Sequence, residues 1–88
     1  MTVILHTIAD KYLRSLPEPF KGKIKEALER LRKTPPEGDI RPLAEHYGHW
    51  RLKIGRFRVL YRVEDNVIFV THIDSRGHAY KKKNRGRR

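Results

Sequence analysis

The chain has no cysteine. Disulfide staples, thiolate metal sites and thiol catalysis are therefore excluded, and a reducing cytoplasm is the compartment that fits. Residues 1–16 lack a basic lead followed by a long apolar core, and no apolar run reaches the ~20 residues that a membrane span needs. A soluble protein is expected. There is no Gly-rich nucleotide loop, no Ser-His-Asp set and no pair of catalytic carboxylates. Acidic residues are scarce as well, 10 Asp and Glu against 21 Lys and Arg, for a net charge of +11. With 88 residues there is room for one small domain and one modest core.

The charge is unevenly spread. Residues 1–48 hold nine Lys/Arg against seven Asp/Glu, whereas residues 49–88 hold twelve against three. A one-sided basic balance fits nucleic acid, an acidic protein or an anionic membrane surface. The membrane is disfavoured because no basic helix carries a broad aromatic and aliphatic face.

In chain order, Val3-Ile4-Leu5 suits a short strand. Thr7 stands where an N-cap would, and Ile8, Tyr12, Leu13 and Leu16 recur at helical spacing. Pro17 and Pro19 then force a corner. Phe20, Ile24, Ala27, Leu28 and Leu31 form the apolar stripe of a second helix. Thr34 to Asp39 reads as a loop, with Ile40 and Leu43 as the only strong apolar anchors before Tyr47. From His49 to Ile54 the alternation is strict, with Trp50, Leu52 and Ile54 against His49, Arg51 and Lys53. After Gly55 the pattern repeats: Phe57, Val59, Tyr61 and Val63 against Arg56, Arg58, Leu60 and Arg62. Glu64-Asp65-Asn66 makes a hairpin turn, and Val67 to Ile73 is apolar on both faces, as a central strand should be.

The expected fold is α+β. It is a small single domain of order β-α-α-β-β-β, in which two N-terminal helices pack on one face of a mostly antiparallel four-stranded sheet. The opposite face would carry Arg51, Lys53 and Arg58, with no acidic residue among them. On one strand such cations are ordinarily a solvated surface. Their convergence from adjacent strands favours a phosphate-binding concavity instead.

Arg76-Gly77-His78-Ala79-Tyr80 follows, placing a guanidinium, an imidazole and a phenol within five residues. Those groups bind phosphate, move protons and stack on bases, respectively. Seen alone, the segment is equally a polar tail with one aromatic tucked onto the core. Five histidines raise the question of a metal, but His46 and His49 have no carboxylate pair at useful spacing, so neither a metal site nor a cofactor is expected. Lys81 to Arg88 has six basic residues in eight, which supply charge without geometry.

The element order, together with Trp50-Arg51-Leu52-Lys53-Ile54-Gly55, Phe57-Arg58-Val59-Leu60-Tyr61 and Arg76 to Lys81, resembles the RelE/ParE superfamily of toxin-antitoxin toxins, on the RelE side. On that resemblance residues 1–80 form the toxin domain, while the composition of residues 81–88 makes them a frayed basic tail. The resemblance implies a metal-independent endoribonuclease that cuts messenger RNA in the ribosomal A site and so inhibits translation. An acidic antitoxin would be its partner in a cytoplasmic hetero-oligomer. The same fold also serves ParE-like gyrase inhibitors, and a catalytically silent RNA-binding or antitoxin-binding member is a third option.

The positions carried over are Lys53, Arg58, Arg76 and Tyr80, with His78 added as the less family-typical candidate for catalysis. Arg51, Arg56, Lys81, Lys82 and Lys83 are candidates for holding phosphate. Arg51 replaces a lysine of the family pattern and cannot give up its proton. The base for the 2′-hydroxyl is then either Lys53, flanked by the like charges of Arg51 and Arg58, or His78.

Overall fold

The computed structural model describes residues 1–44 and 47–75. Their order is β1 (Thr2–Leu5), α1 (Thr7–Ser15), α2 (Phe20–Leu31), β2 (Asp39–Pro42), β3 (His49–Ile54), β4 (Phe57–Glu64) and β5 (Val67–Ser75). The expected helices and strands are all present, and one strand more.

The cap of α1 lies one residue earlier than the composition suggests. His6, not Thr7, is the N-cap, and its Nδ1 accepts from the Ile8 amide at 3.3 Å. Leu16 closes the helix in extended geometry ahead of Pro17, as the residue before a proline must. In α2, Ile24, Ala27, Leu28 and Leu31 are buried, so the predicted stripe is the face laid on the sheet.

The sheet has five strands in the order β1-β5-β4-β3-β2, with β1 parallel to β5 and the other pairs antiparallel. The strand count corrects the expectation of four. β2 occupies the stretch read as loop and pairs with β3 through Asp39 to Lys53 and Pro42 to Trp50. It is a four-residue edge strand with one apolar residue and a terminal proline, so it carries almost no alternation to read. Gly38 leads into it with φ +139°, and a Cβ there would lie 2.7 Å from Leu52 Cδ1. Only glycine lets the chain pass so close over the β3 core residue.

Two-residue turns fix the hairpins. Gly55 has φ +58° between Ile54 and Phe57, which are paired. Asp65 and Asn66 both have positive φ, 51° and 63°, the requirement of a type I′ turn. Registers are thereby locked, and with them the face each side chain occupies.

The core comprises Ala9, Leu13 and the α2 stripe against Leu52, Phe57, Val59, Tyr61, Ile68, Val70 and Ile73. Burial moves the Tyr61 phenol well above its ordinary pKa, to about 12. The helices do not cover the whole face. Leu31, Ile40, Trp50, Tyr61, Val63 and Ile68 line an apolar groove of about 280 Å³, and Trp50, expected in the core, is 36% exposed at its rim.

β5 holds an irregularity that reorganises its second half. Tyr61 pairs with Val70 but Leu60 pairs with His72, so Thr71 is an extra residue, a β-bulge. Before it, Ile68 and Val70 are buried; after it, Ile73 is, while His72 and Asp74 turn to the opposite face beside Leu60 and Arg58.

Candidate functional site

The face of the sheet away from the helices is organised in cross-strand rows. Asp39, Lys53, Arg58 and Asp74 stand abreast on β2, β3, β4 and β5. The next row is Arg41, Arg51, Leu60 and His72. Because opposed residues on neighbouring strands share a face and lie about 5 Å apart, Arg51, Lys53 and Arg58 do converge. Half-buried Leu60 stands between Arg51 and His72, with Arg58 and Arg62 two residues away on its own strand. It is an apolar floor with cations around it.

The face is not free of acid. Asp74 holds Arg58 by two parallel hydrogen bonds, Arg58 Nε to Oδ1 and Nη2 to Oδ2, each 3.1 Å. These bonds raise the Arg58 pKa above its ordinary value, against a smaller opposing effect of burial. The fork fixes the plane of the guanidinium and leaves its Nη1 edge for a second anion. Asp39 lies at 3.9 Å from both Arg41 Nε and Arg51 Nη2, a loose contact. Lys53 has no ion-pair or hydrogen-bond partner among the described residues. Arg62 is engaged by Glu64 at 2.7 Å and stacks 4.5 Å above Phe69.

Arg56 stands apart from this group. It lies in the β3–β4 turn, with its guanidinium 4.9 Å from the Phe20 ring centre and 5.9 Å from that of Phe57, toward the helical layer. The sequence pattern grouped it with Arg58 because it read the strand straight through the turn. Near that end Tyr12 has its pKa raised, first by burial and then by Asp74, with Arg56 opposing.

Arg76, His78, Tyr80, Lys81, Lys82 and Lys83 lie outside the described residues. Asp39, Arg41, His72 and Asp74 are the members of the face that the sequence pattern missed. A signal for His72 and Asp74 exists: apolar residues at 68 and 70 are followed by one at 73, an odd step that marks a change of phase. Among the described residues no three His, Asp or Glu side chains are grouped to hold a metal ion.

An electropositive sheet face with an ammonium unpaired among the described residues, a braced guanidinium and an imidazole is able to bind a phosphodiester and move protons beside it. The profile of the ParE toxin of the type II toxin-antitoxin system parDE matches residues 3–80. No curated protein sequence matches the chain. Among solved structures, the RelE–RelB complex of Pyrococcus horikoshii is 29% identical, covering 86% of this chain and 94% of that one, with a TM-score of 0.72. A RelBE toxin-antitoxin complex of Mycobacterium tuberculosis is 25% identical, with 85% and 96% covered and a TM-score of 0.70. The RelB–RelE complex of Methanococcus jannaschii, 17% identical over 90% and 96%, shares the fold with a TM-score of 0.73. The protein belongs to the ParE toxin family and is a type II toxin-antitoxin toxin of RelE/ParE fold.

Proposed function

We propose that this toxin is an endoribonuclease of the RelE-like branch that cuts messenger RNA in the ribosomal A site and thereby stops translation. The observation that carries this reading is the convergence of Arg51, Lys53 and Arg58 around Leu60 on the face opposite the helices. In metal-independent cleavage the 2′-hydroxyl attacks the adjacent phosphate, which needs a base, cations around the crowded phosphorane and an acid for the departing 5′-oxygen. Arg58, braced by Asp74, and Arg51 would stabilise the phosphorane. Lys53 would move a proton. His78 is a second candidate base, Arg76 a further cation and Tyr80 a stacking or leaving-group residue. Lys81, Lys82 and Lys83 would add phosphate contacts.

The three solved neighbours described above are complexes with antitoxins, and an acidic antitoxin covering this face would silence the toxin by charge complementarity. A gyrase-inhibiting role has one observation behind it, the ParE profile itself. Brief expression of the chain, with message cleavage mapped at codon resolution alongside DNA-damage signalling, separates the readings. Codon-phased cuts are expected, abolished by Lys53→Ala with Arg58→Ala. DNA breaks without cuts would replace this reading with gyrase inhibition, and neither signal would leave a silent binding member.

A further inference from the structure

We propose that His72 is the base that takes the 2′-hydroxyl proton, an inference that rests on the ribonuclease reading above. The bulge at Thr71 turns this imidazole onto the cationic face, one strand from Leu60 and diagonal to Arg58. Without the extra residue, the alternation set by Ile68 and Val70 would bury position 72. As it is, His72 is exposed.

Its hydrogen bonding sets its chemistry. The Thr71 hydroxyl donates its single proton to the Leu60 carbonyl at 3.2 Å. That oxygen can then only accept from His72, whose Nδ1 is 3.3 Å away. The proton of the neutral ring is thereby placed on Nδ1, and the lone pair on Nε2, the atom directed away from the bulge. A hydroxyl that selects the tautomer leaves Nε2, without a partner among the described residues, as the atom that accepts a proton.

The sheet also separates the two proton carriers suitably. His72 is on β5 and Lys53 on β3, two strands across and one row along the sheet, so their backbones lie about 12 Å apart. Arg58 and Leu60 lie between them. In-line displacement needs its base and acid on opposite sides of the phosphate, and this spacing admits a phosphodiester above Leu60. His72 Nε2 takes the proton of the 2′-hydroxyl as the 2′-oxygen forms its bond to phosphorus. The P–O5′ bond breaks with its electron pair on the 5′-oxygen, which takes a proton from the Lys53 ammonium. The products are a 2′,3′-cyclic phosphate and a 5′-hydroxyl. Solvent then returns the proton from His72 to Lys53.

The test compares the unaltered toxin, His72→Ala, His72→Gln and Thr71→Val on a ribosome-bound message and on the same message free. Cleavage is timed in single turnover, binding is measured separately, and circular dichroism checks folding. His72→Ala and His72→Gln should cut at least about 100-fold more slowly with binding changed less than about threefold. Added imidazole should restore part of the rate to His72→Ala and not to His72→Gln. Thr71→Val should lose about tenfold. Equal rates for the toxin and His72→Ala, or a loss that tracks binding and ignores imidazole, would overturn the assignment while leaving the nuclease intact. If the unaltered toxin cuts neither message, the ribonuclease reading itself fails and takes the assignment with it.

Discussion

The two halves of β5 belong to one strand and obey opposite rules. From Val67 to Val70 the even positions enter the core and the odd ones face out; from His72 to Ser75 the odd position Ile73 enters and His72 and Asp74 face out. The first half is held by burial, the second by buried Ile73 together with polar contacts to β4. A single inserted residue thus lets one strand serve the core along its whole length and still present chemistry at one end. Stability and charge are separable along it.

Removing Thr71 should break the comparison outright. Deletion restores unbroken alternation, which buries His72 and Asp74 or expels Ile73, and no cooperative thermal transition should remain in a circular dichroism melt. Ile68→Ala, in the half held by packing, should lose about 2–5 kcal/mol in denaturant unfolding through the cavity it leaves.

Tyr61, opposite Val70, gives a pH test of the same half. The folded phenol stays neutral to about pH 12, whereas an exposed phenol in the unfolded chain ionises near 10. Its share of stability is therefore intact below pH 10 and drains as pH rises toward 12. At most about 2 kcal/mol should be lost there relative to Tyr61→Phe, whose curve lacks that component.

The smallest effect belongs to the other half. Asp74→Asn should change stability by no more than about 1 kcal/mol, since the Arg58 pair is more than a third exposed. It should nevertheless steepen the salt dependence of RNA binding, by about 0.7 in logarithmic slope, if Arg58 gains one full phosphate contact. An unchanged slope would show that releasing Arg58 from Asp74 adds no phosphate contact.

Long periodic segments were legible before the structure. The α2 stripe, the alternation of β3 and β4, and the side of the sheet taken by Arg51, Lys53 and Arg58 all follow from spacing, because period and face are local properties. β2 was not legible, since four residues with one apolar side chain at an edge have no period to detect. Nor were the partners of the cations. Asp74 reaches Arg58 across sixteen residues through a register that depends on the bulge, and Arg56 left the face because a turn resets parity. Composition shows that a face is basic, while register decides which charges on it are already spent.

The parallel pairing of β1 with β5 joins the first and last strands of the described residues, Thr2 to Val67 and Leu5 to Val70. The hairpins of β3, β4 and β5 close through short loops, but β1 has no sheet neighbour until β5 exists. During synthesis the opening residues must therefore wait, unpaired, for more than sixty others to emerge. Their docking is the longest loop closure among the described strand pairs and belongs late in assembly. β1 thus takes its place at the sheet's edge only when the strand bearing His72 and Asp74 has been made, so a chain halted before β5 has neither a finished sheet nor a finished site.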